Sequence, residues 1–272
     1  MSIPFVKAHG ARNDFLLTWS EEAPPDLVAA SRAICDRHTG IGADGWLLVA
    51  RPLSSDKLGT PGGDGAIRLF NSDGSESALS GNGTRCAAAF LLEAGYGGQT
   101  IRIATGAGLK MLRLLERDGR RFSFEMHMGR PAYGRADIHS ILRLRNSAPE
   151  ATILNVGNPQ CVIFVDDFGF DWRAMGAEIE RHPRFPERTN VSFVRAIDRH
   201  TLEVLFWERG AGETMSSGTG STGAAAAAHA RGLVDSPVRV MTPAGPLDLR
   251  WDGEEIYLTG PAEIVAQGEF YW

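Results

Sequence analysis

Cysteine is scarce in this chain. Only three of 272 residues are Cys (Cys35, Cys86 and Cys161), isolated and odd in number. That excludes a disulfide framework and a cysteine-rich zinc site, and predicts three reduced, buried thiols. Seven histidines are scattered, with no His-Glu-x-x-His and no His/Cys pair at ligand spacing, so no metal is expected. There is no excess of positive charge: 28 Lys and Arg against 33 Asp and Glu leave a net charge of -5, a poor match for nucleic acid. No apolar run approaches the length of a membrane span, and Met1-Ser-Ile-Pro-Phe-Val-Lys has no cationic lead into an apolar segment. A cytoplasmic protein with no membrane partner is therefore expected.

Glycine, by contrast, is abundant, with 32 residues, and 14 prolines add further punctuation. Between these breaks lie short runs rich in β-branched and aromatic residues. They predict strands at Trp46–Val49, Ile67–Phe70, Thr100–Ala104, Leu109–Leu115, Phe122–Met126, Gln160–Val165, Asn190–Val194, Thr201–Trp207, Val238–Met241, Leu247–Trp251 and Glu255–Thr259. Helical patterns cover Pro25–Arg37, Gly83–Ala94, Asp171–Glu180 and Thr219–Arg231. In the last of these, Ala224–Ala228 is pure alanine, which suits a helix wrapped closely by other backbone.

One pattern occurs twice. Ser80-Gly-Asn-Gly-Thr-Arg-Cys-Ala-Ala-Ala and Ser217-Gly-Thr-Gly-Ser-Thr-Gly-Ala-Ala-Ala stand 137 residues apart, about half the chain. Duplication is the natural reading. Each copy puts Gly-x-Gly at the start of a helix, where backbone N–H groups lack intrahelical acceptors and the helix dipole is positive. Such turns suit an anion, and two of them facing one cleft would suit a single carboxylate. Gly218 to Gly223 also fits the dinucleotide fingerprint, but no strand immediately precedes it and no acidic residue follows the next strand. A Walker motif and a Gly-x-Ser-x-Gly elbow are both missing.

Polar clusters accompany the two turns at Asn13-Asp14, Asn71–Glu76, Gly157-Asn158-Pro159-Gln160, Thr189-Asn190 and Glu208-Arg209-Gly210. Each alone would be an ordinary turn. Together they form a hydrogen-bonding set suited to a small zwitterion with an extra carboxylate.

These residues lie in seven stretches: Phe5–Phe15, Arg37–Asp44, Phe70–Glu76, Gly81–Cys86, Gly157–Val162, Arg184–Asn190 and Glu208–Thr214. In that order the chain resembles the diaminopimelate epimerases, cofactor-independent enzymes that invert one α-carbon. The resemblance implies an α/β (α+β) fold of two pseudo-symmetric domains, each a curled sheet around a central helix, and a homodimer. The expected domains are residues 1–127, open to completion by 265–272, and residues 128–264. It further implies that Asn13 helps hold the reacting end of an amino-acid substrate, and that Asn71, Asn158, Asn190 and Arg209 hold the distal end. Gly81, Asn82, Gly218 and Thr219 would supply backbone donors to the reacting carboxylate. The family's two catalytic cysteines fall at Ser80 and Ser217, its histidine at Gln160 and a substrate-binding glutamine at Gly45, while Glu208 remains as partner of the second site.

Ser80, Ser217, Glu208 and Gln160 are thus the candidate catalytic residues, and no cofactor is expected. A thiol at a helix N-terminus becomes a usable base near neutral pH, whereas an alcohol is far harder to ionise. Three readings follow: an epimerase of diaminopimelate or a near relative, a one-base isomerase or lyase relying on Glu208, and a non-catalytic binder of a diamino acid.

Overall fold

The computed structural model describes residues 2–51 and 63–272. It divides into two units, Met1–Met126 with Gly260–Trp272, and His127–Thr259.

In the first unit the strands are β1 (Ser2–Gly10), β2 (Asn13–Trp19), β3 (Gly45–Ala50), β4 (Gly65–Asn71), β5 (Glu76–Ser77), β6 (Thr100–Thr105), β7 (Gly108–Asp118) and β8 (Arg121–Gly129), and the helices are α1 (Leu27–Cys35) and α2 (Gly81–Glu93). The second unit comprises β9 (Ser140–Ile141), β10 (Glu150–Asn155), β11 (Pro159–Phe164), α3 (Trp172–Glu180), β12 (Asn190–Asp198), β13 (Thr201–Glu208), β14 (Gly212–Thr214), α4 (Gly218–Ala230), β15 (Val238–Thr242), β16 (Gly245–Asp252) and the start of β17 (Glu255–Tyr271).

Strand pairing repeats from one unit to the other. In the first, β1 and β2 are antiparallel, β2 and β3 parallel, β3 and β4 antiparallel, β4 and β6 parallel, and β6 and β7 antiparallel. In the second, the same sequence of relations links β10, β11, β12, β13, β15 and β16. Even the short antiparallel additions match, β5 on β4 and β14 on β13. Each parallel pair needs a crossover, supplied by α1 and α2 in the first unit and by α3 and α4 in the second.

The helices divide the work. Helix α2 packs against β1, β2, β3, β4 and β6, and α4 against β10, β11, β12, β13, β15 and β16, so each is ringed by its own sheet. All residues from Gly81 to Leu91 and from Gly218 to Ala228 are accordingly buried. Close approach on every side demands small residues, which is why α4 is built on alanine. The outer sheet faces are covered by the amphipathic helices. Ile34 and Cys35 of α1 pack with Leu16, Trp46 and Leu48, and Trp172 and Ile179 of α3 pack with Cys161, Ile163 and Phe193. Neighbouring residues on the same strands, such as Phe15 and Leu47, turn the other way and meet α2 at Gly83.

Helix α2 opens at Gly81, two residues before the Gly83 start the sequence predicts, because Ser80 is its N-cap. Strands β1, β2 and β10 have no counterpart among the predicted strands, and β17 continues twelve residues past the predicted Thr259. No helix among the described residues is long and apolar enough to cross a membrane.

Candidate active site

The two serines occupy equivalent places. Ser80 and Ser217 are the N-caps of α2 and α4, with φ of -132° and -138° and ψ of 122° in both. Each Oγ accepts a hydrogen bond from the third amide of its helix, from Gly83 and Gly220 respectively, at 3.1 Å. A serine cap of this kind contributes about 1 kcal/mol to its helix. It also aims the hydroxyl at the positive end of the helix dipole, beside the amides of Gly81 and Asn82 or of Gly218 and Thr219.

Around Ser217 the second unit assembles a carboxylate. Ser217 Oγ donates to Glu208 Oε2 at 2.8 Å, and Thr214 Oγ1 donates to Glu208 Oε1 at 2.7 Å. Glu208 ends β13, and the turn after it brings β14 back antiparallel, which delivers Thr214 to the opposite carboxylate oxygen. Next to it the Arg209 amide donates to Asn190 Oδ1 at 3.0 Å, and Asn190 Nδ2 donates to the Pro159 carbonyl at 3.0 Å. The Arg209 side chain is exposed and donates to the Glu187 carbonyl at 3.2 Å. Beneath this turn lies a residue the sequence did not single out: buried Glu180, which accepts from Trp207 Nε1 at 3.1 Å and the Gly210 amide at 3.0 Å.

Gln160 is fully buried on β11, packed against Gly223 of α4, where a Cβ would come within 3.0 Å of the Gln160 Cγ. Its Nε2 donates to Asn158 Oδ1 at 2.7 Å, and Asn158 Nδ2 donates to Thr219 Oγ1 at 3.2 Å. An amide holds no titratable proton in this range, so Gln160 orients Asn158 and Thr219 where a histidine would exchange protons.

In the first unit Asn13 and Asn82 meet: Asn82 Nδ2 donates to Asn13 Oδ1 at 3.2 Å. Asn13 leaves a two-residue hairpin turn whose Ala11 and Arg12 have φ of 50° and 59°. That left-handed pair suits Asn-Gly far better than Ala-Arg, and holding it costs on the order of 1 kcal/mol per residue. Asn13 Nδ2 donates to Asp44 Oδ2 at 2.7 Å. Arg37 bridges Asp44 and Asp14 at 2.7 and 2.8 Å, and Lys7 stands 3.1 Å from Asp14. Burial alone would raise the Asp14 carboxyl, but hydrogen bonds and charge from Arg37 and Lys7 outweigh it and hold it below its ordinary value. Asn71, at the end of β4, pairs in register with Gly45 and donates to Ser75 Oγ at 2.9 Å within its own turn. A Cβ built at Gly45 would come within 2.9 Å of the Phe70 carbonyl oxygen, so the backbone itself fills the space where a side chain would start.

The three cysteines lie apart from this chemistry. Burial pushes Cys35 and Cys86 up to about 12 and raises Cys161 further, so none is a thiolate near neutral pH. Among the described residues no group of His, Cys, Asp and Glu is arranged to hold a metal ion.

Known proteins resemble this chain over nearly its whole length. The diaminopimelate epimerase family model matches residues 5–133 and 152–265. The chain is 38% identical over 282 residues to the diaminopimelate epimerase of Moorella thermoacetica, covering 98% of each chain. It is also 38% identical to diaminopimelate epimerase 1 of a Nostoc species, covering 99% of this chain and 100% of that one. Among solved structures, a hydroxyproline epimerase from Agrobacterium vitis with bound trans-4-hydroxy-L-proline superposes with a TM-score of 0.73 at 16% identity, covering 98% of this chain and 92% of the other. A phenazine biosynthesis protein of the PhzF family from Bacillus anthracis gives 0.67 at 14% identity, covering 100% of both. At such identities the structures share the fold, while the sequence matches span both units and every polar cluster described above. The chain belongs to the diaminopimelate epimerase family.

Proposed function

We propose that this protein exchanges and inverts the α-proton of diaminopimelate or a closely related diamino dicarboxylic acid, without a cofactor, as a cytoplasmic homodimer. The observation that carries the reading is the Glu208–Ser217 hydrogen bond at the capped start of α4, one residue from Arg209 and its contact with Asn190. A carboxylate, a relaying hydroxyl and helix amides in one turn are the parts needed to take a proton from a carbon next to a carboxylate.

In this mechanism Ser217 Oγ takes the α-proton as its own proton passes to Glu208 Oε2. The electron pair left on carbon spreads into the substrate carboxylate, where N–H donors at the start of α4 stabilise the growing charge. Inversion requires the returning proton to reach the opposite face of the carbon from another donor, and Glu208 releases the proton it took to water, which closes the exchange. Glu208 in its carboxylate form stands in for the thiolate that serine cannot provide. Arg209 and Asn190 select for a second carboxylate at the far end of the substrate.

Incubating purified protein with meso-diaminopimelate in heavy water and following the α-proton by NMR tests this directly. Slow deuteration is expected, together with interconversion of the LL and meso forms. Binding without any deuterium incorporation would overturn the enzymatic reading. The three free, buried cysteines are consistent with a reducing compartment, and sedimentation would test the dimer.

A further inference from the structure

Glu180 is a buried carboxylate that the chemistry at Ser217 does not use. It is the last residue of α3 and only 3% exposed. Its oxygens meet two separate stretches of chain. From the end of β13 and the turn that follows, Trp207 Nε1 donates to Oε2 at 3.1 Å and the Gly210 amide donates to Oε1 at 3.0 Å. From the stretch leading into β12, the Arg188 guanidinium stands 3.5 Å from Oε1, and the Thr189 amide donates to the Glu180 backbone carbonyl at 3.3 Å. Arg188 has a φ of 63°, a left-handed backbone that a non-glycine residue keeps only where its surroundings hold it. Burying a carboxylate is costly unless its lone pairs find donors, and packing alone does not call for one here. In the first unit the nine-residue helix α1 ends on Cys35 instead. There the turn after β4 is tied by its own Asp73, which accepts from the amide and hydroxyl of Ser75, and by Arg32 of α1, which donates to the Asp73 carbonyl at 2.6 Å.

The two stretches that Glu180 joins are the two that seat Arg209. The Arg209 amide donates to Asn190 Oδ1 at 3.0 Å and its guanidinium to the Glu187 carbonyl at 3.2 Å, so both contacts lie on the stretch from Glu187 to Asn190. Gly210, whose amide Glu180 holds, is the next residue in the chain. An arginine side chain has much rotamer freedom, and ordering it on binding weakens affinity unless it is ordered beforehand. Two N–H donors on separate oxygens suit a carboxylate, which only accepts. An amide of the same shape offers one acceptor oxygen and sets its NH2 against the other donor.

We propose that Glu180 is a positioning residue for substrate selection: by tying the Glu187–Asn190 stretch to the Glu208–Gly210 turn, it fixes the direction of Arg209 toward the distal carboxylate of a diamino dicarboxylic acid. The choice of ligand rests on the amino-acid epimerase reading, and the hold on Arg209 does not.

The test uses Glu180→Gln, alone and together with Arg209→Ala. In calorimetry Glu180→Gln should bind meso-diaminopimelate about 3- to 10-fold more weakly, the cost of ordering one long side chain, while lysine, which lacks the distal carboxylate, should bind as it does to the native protein. With Arg209→Ala already present, Glu180→Gln should add little, because both changes act through one guanidinium. Equal weakening of the two ligands, full additivity, or unchanged affinity for meso-diaminopimelate would overturn the proposal. A ligand-free measurement separates it from the functional reading. In 15N relaxation the order parameter of the Arg209 Nε–H should fall in Glu180→Gln, and that of Arg195, paired with Glu203 elsewhere in the unit, should not. If meso-diaminopimelate fails to bind the native protein, the functional reading falls and the Arg209 order parameter alone decides on Glu180, an unchanged value counting against it. Should Glu180→Gln not fold, Glu180→Asp, which keeps the charge but draws it back by one methylene, is read in the same two measurements, and native affinity with unchanged Arg209 order would overturn the role.

Discussion

Ser217 donates to the Glu208 carboxylate at 2.8 Å, whereas Ser80, its counterpart 137 residues earlier, bonds no carboxylate among the described residues of its own unit. Two helix starts with matching backbone geometry are therefore chemically unequal. One carries a carboxylate, and the other has the buried guanidinium of Arg85 one turn further on. Glu208→Gln keeps the shape and the hydrogen-bonding reach but removes the base, and should lower α-proton exchange by about 10²- to 10⁴-fold with little change in the thermal midpoint. Exchange at the native rate in that variant would move the base elsewhere.

The serines can be tested by restoring thiols. Native protein should resist a thiol reagent until it unfolds, because Cys35, Cys86 and Cys161 are buried and burial raises their pKa, which disfavours the thiolate. Ser80→Cys with Ser217→Cys should react readily and raise the exchange rate, since a helix N-terminus favours the thiolate. Adding Gln160→His should raise it further. A cysteine pair no faster than the serine pair would mean that hydroxyls relaying to Glu208 already suffice.

A substitution at Arg209 tests recognition apart from chemistry. Its exposed guanidinium keeps donors for a bidentate carboxylate contact while one nitrogen rests on the Glu187 carbonyl. Arg209→Lys should weaken meso-diaminopimelate binding about tenfold, roughly 1.5 kcal/mol, and leave circular dichroism unchanged. Lysine, which lacks the distal carboxylate, should bind both forms equally in the same calorimeter.

At Gly45, where the family's glutamine falls, restoring that residue should not help. The Phe70 carbonyl at 2.9 Å and the Leu69 side chain at 3.1 Å from the built Cβ leave no room. Gly45→Gln should cost about 1–3 kcal/mol in denaturant unfolding, the usual penalty of overpacking.

Acid should weaken the first unit through Asp14. The folded carboxyl ionises below its ordinary value of 3.8, so its contribution is complete above the unfolded value near 4 and is lost as pH falls through the folded one. In Asp14→Asn, stability should be lower at pH 7 and should fall less steeply below about pH 4. Parallel acid curves for the two proteins would show that the carboxyl titrates as in the unfolded chain.

Much of this architecture can be read from the chain before any coordinates. The Ser-Gly-x-Gly pairs mark both central helices because capping and close packing each demand specific small residues there. Strands such as Trp46–Val49 and Thr201–Trp207 stand out for their β-branched and aromatic content. What escapes has physical reasons. Leu16 and Leu17 on β2 are both fully buried, one beneath α1 and the other on the opposite face, so no alternation survives to signal a strand. Gly260-Pro261 and Gly268 read as breaks, yet β17 runs through them. The polar cluster around Glu208 is visible because its members are close in sequence. The chain from Asn82 through Asn13 to Asp44 joins residues 69 and 31 positions apart, and only the folded backbone brings them together.

Strand β17 carries one more implication, about timing. Its second half pairs with β1, Ser2 opposite Tyr271 and His9 opposite Glu263, so residues 2–9 find this neighbour only after residues 263–271 have been made. At roughly 5–20 residues per second, β1 waits on the order of tens of seconds with one edge open. The second unit, whose strands all lie between residues 127 and 259, is under no such delay. The half of the protein that is synthesised later can thus be the first to finish folding, and the earlier half needs shelter from association through that open edge until residue 271 arrives.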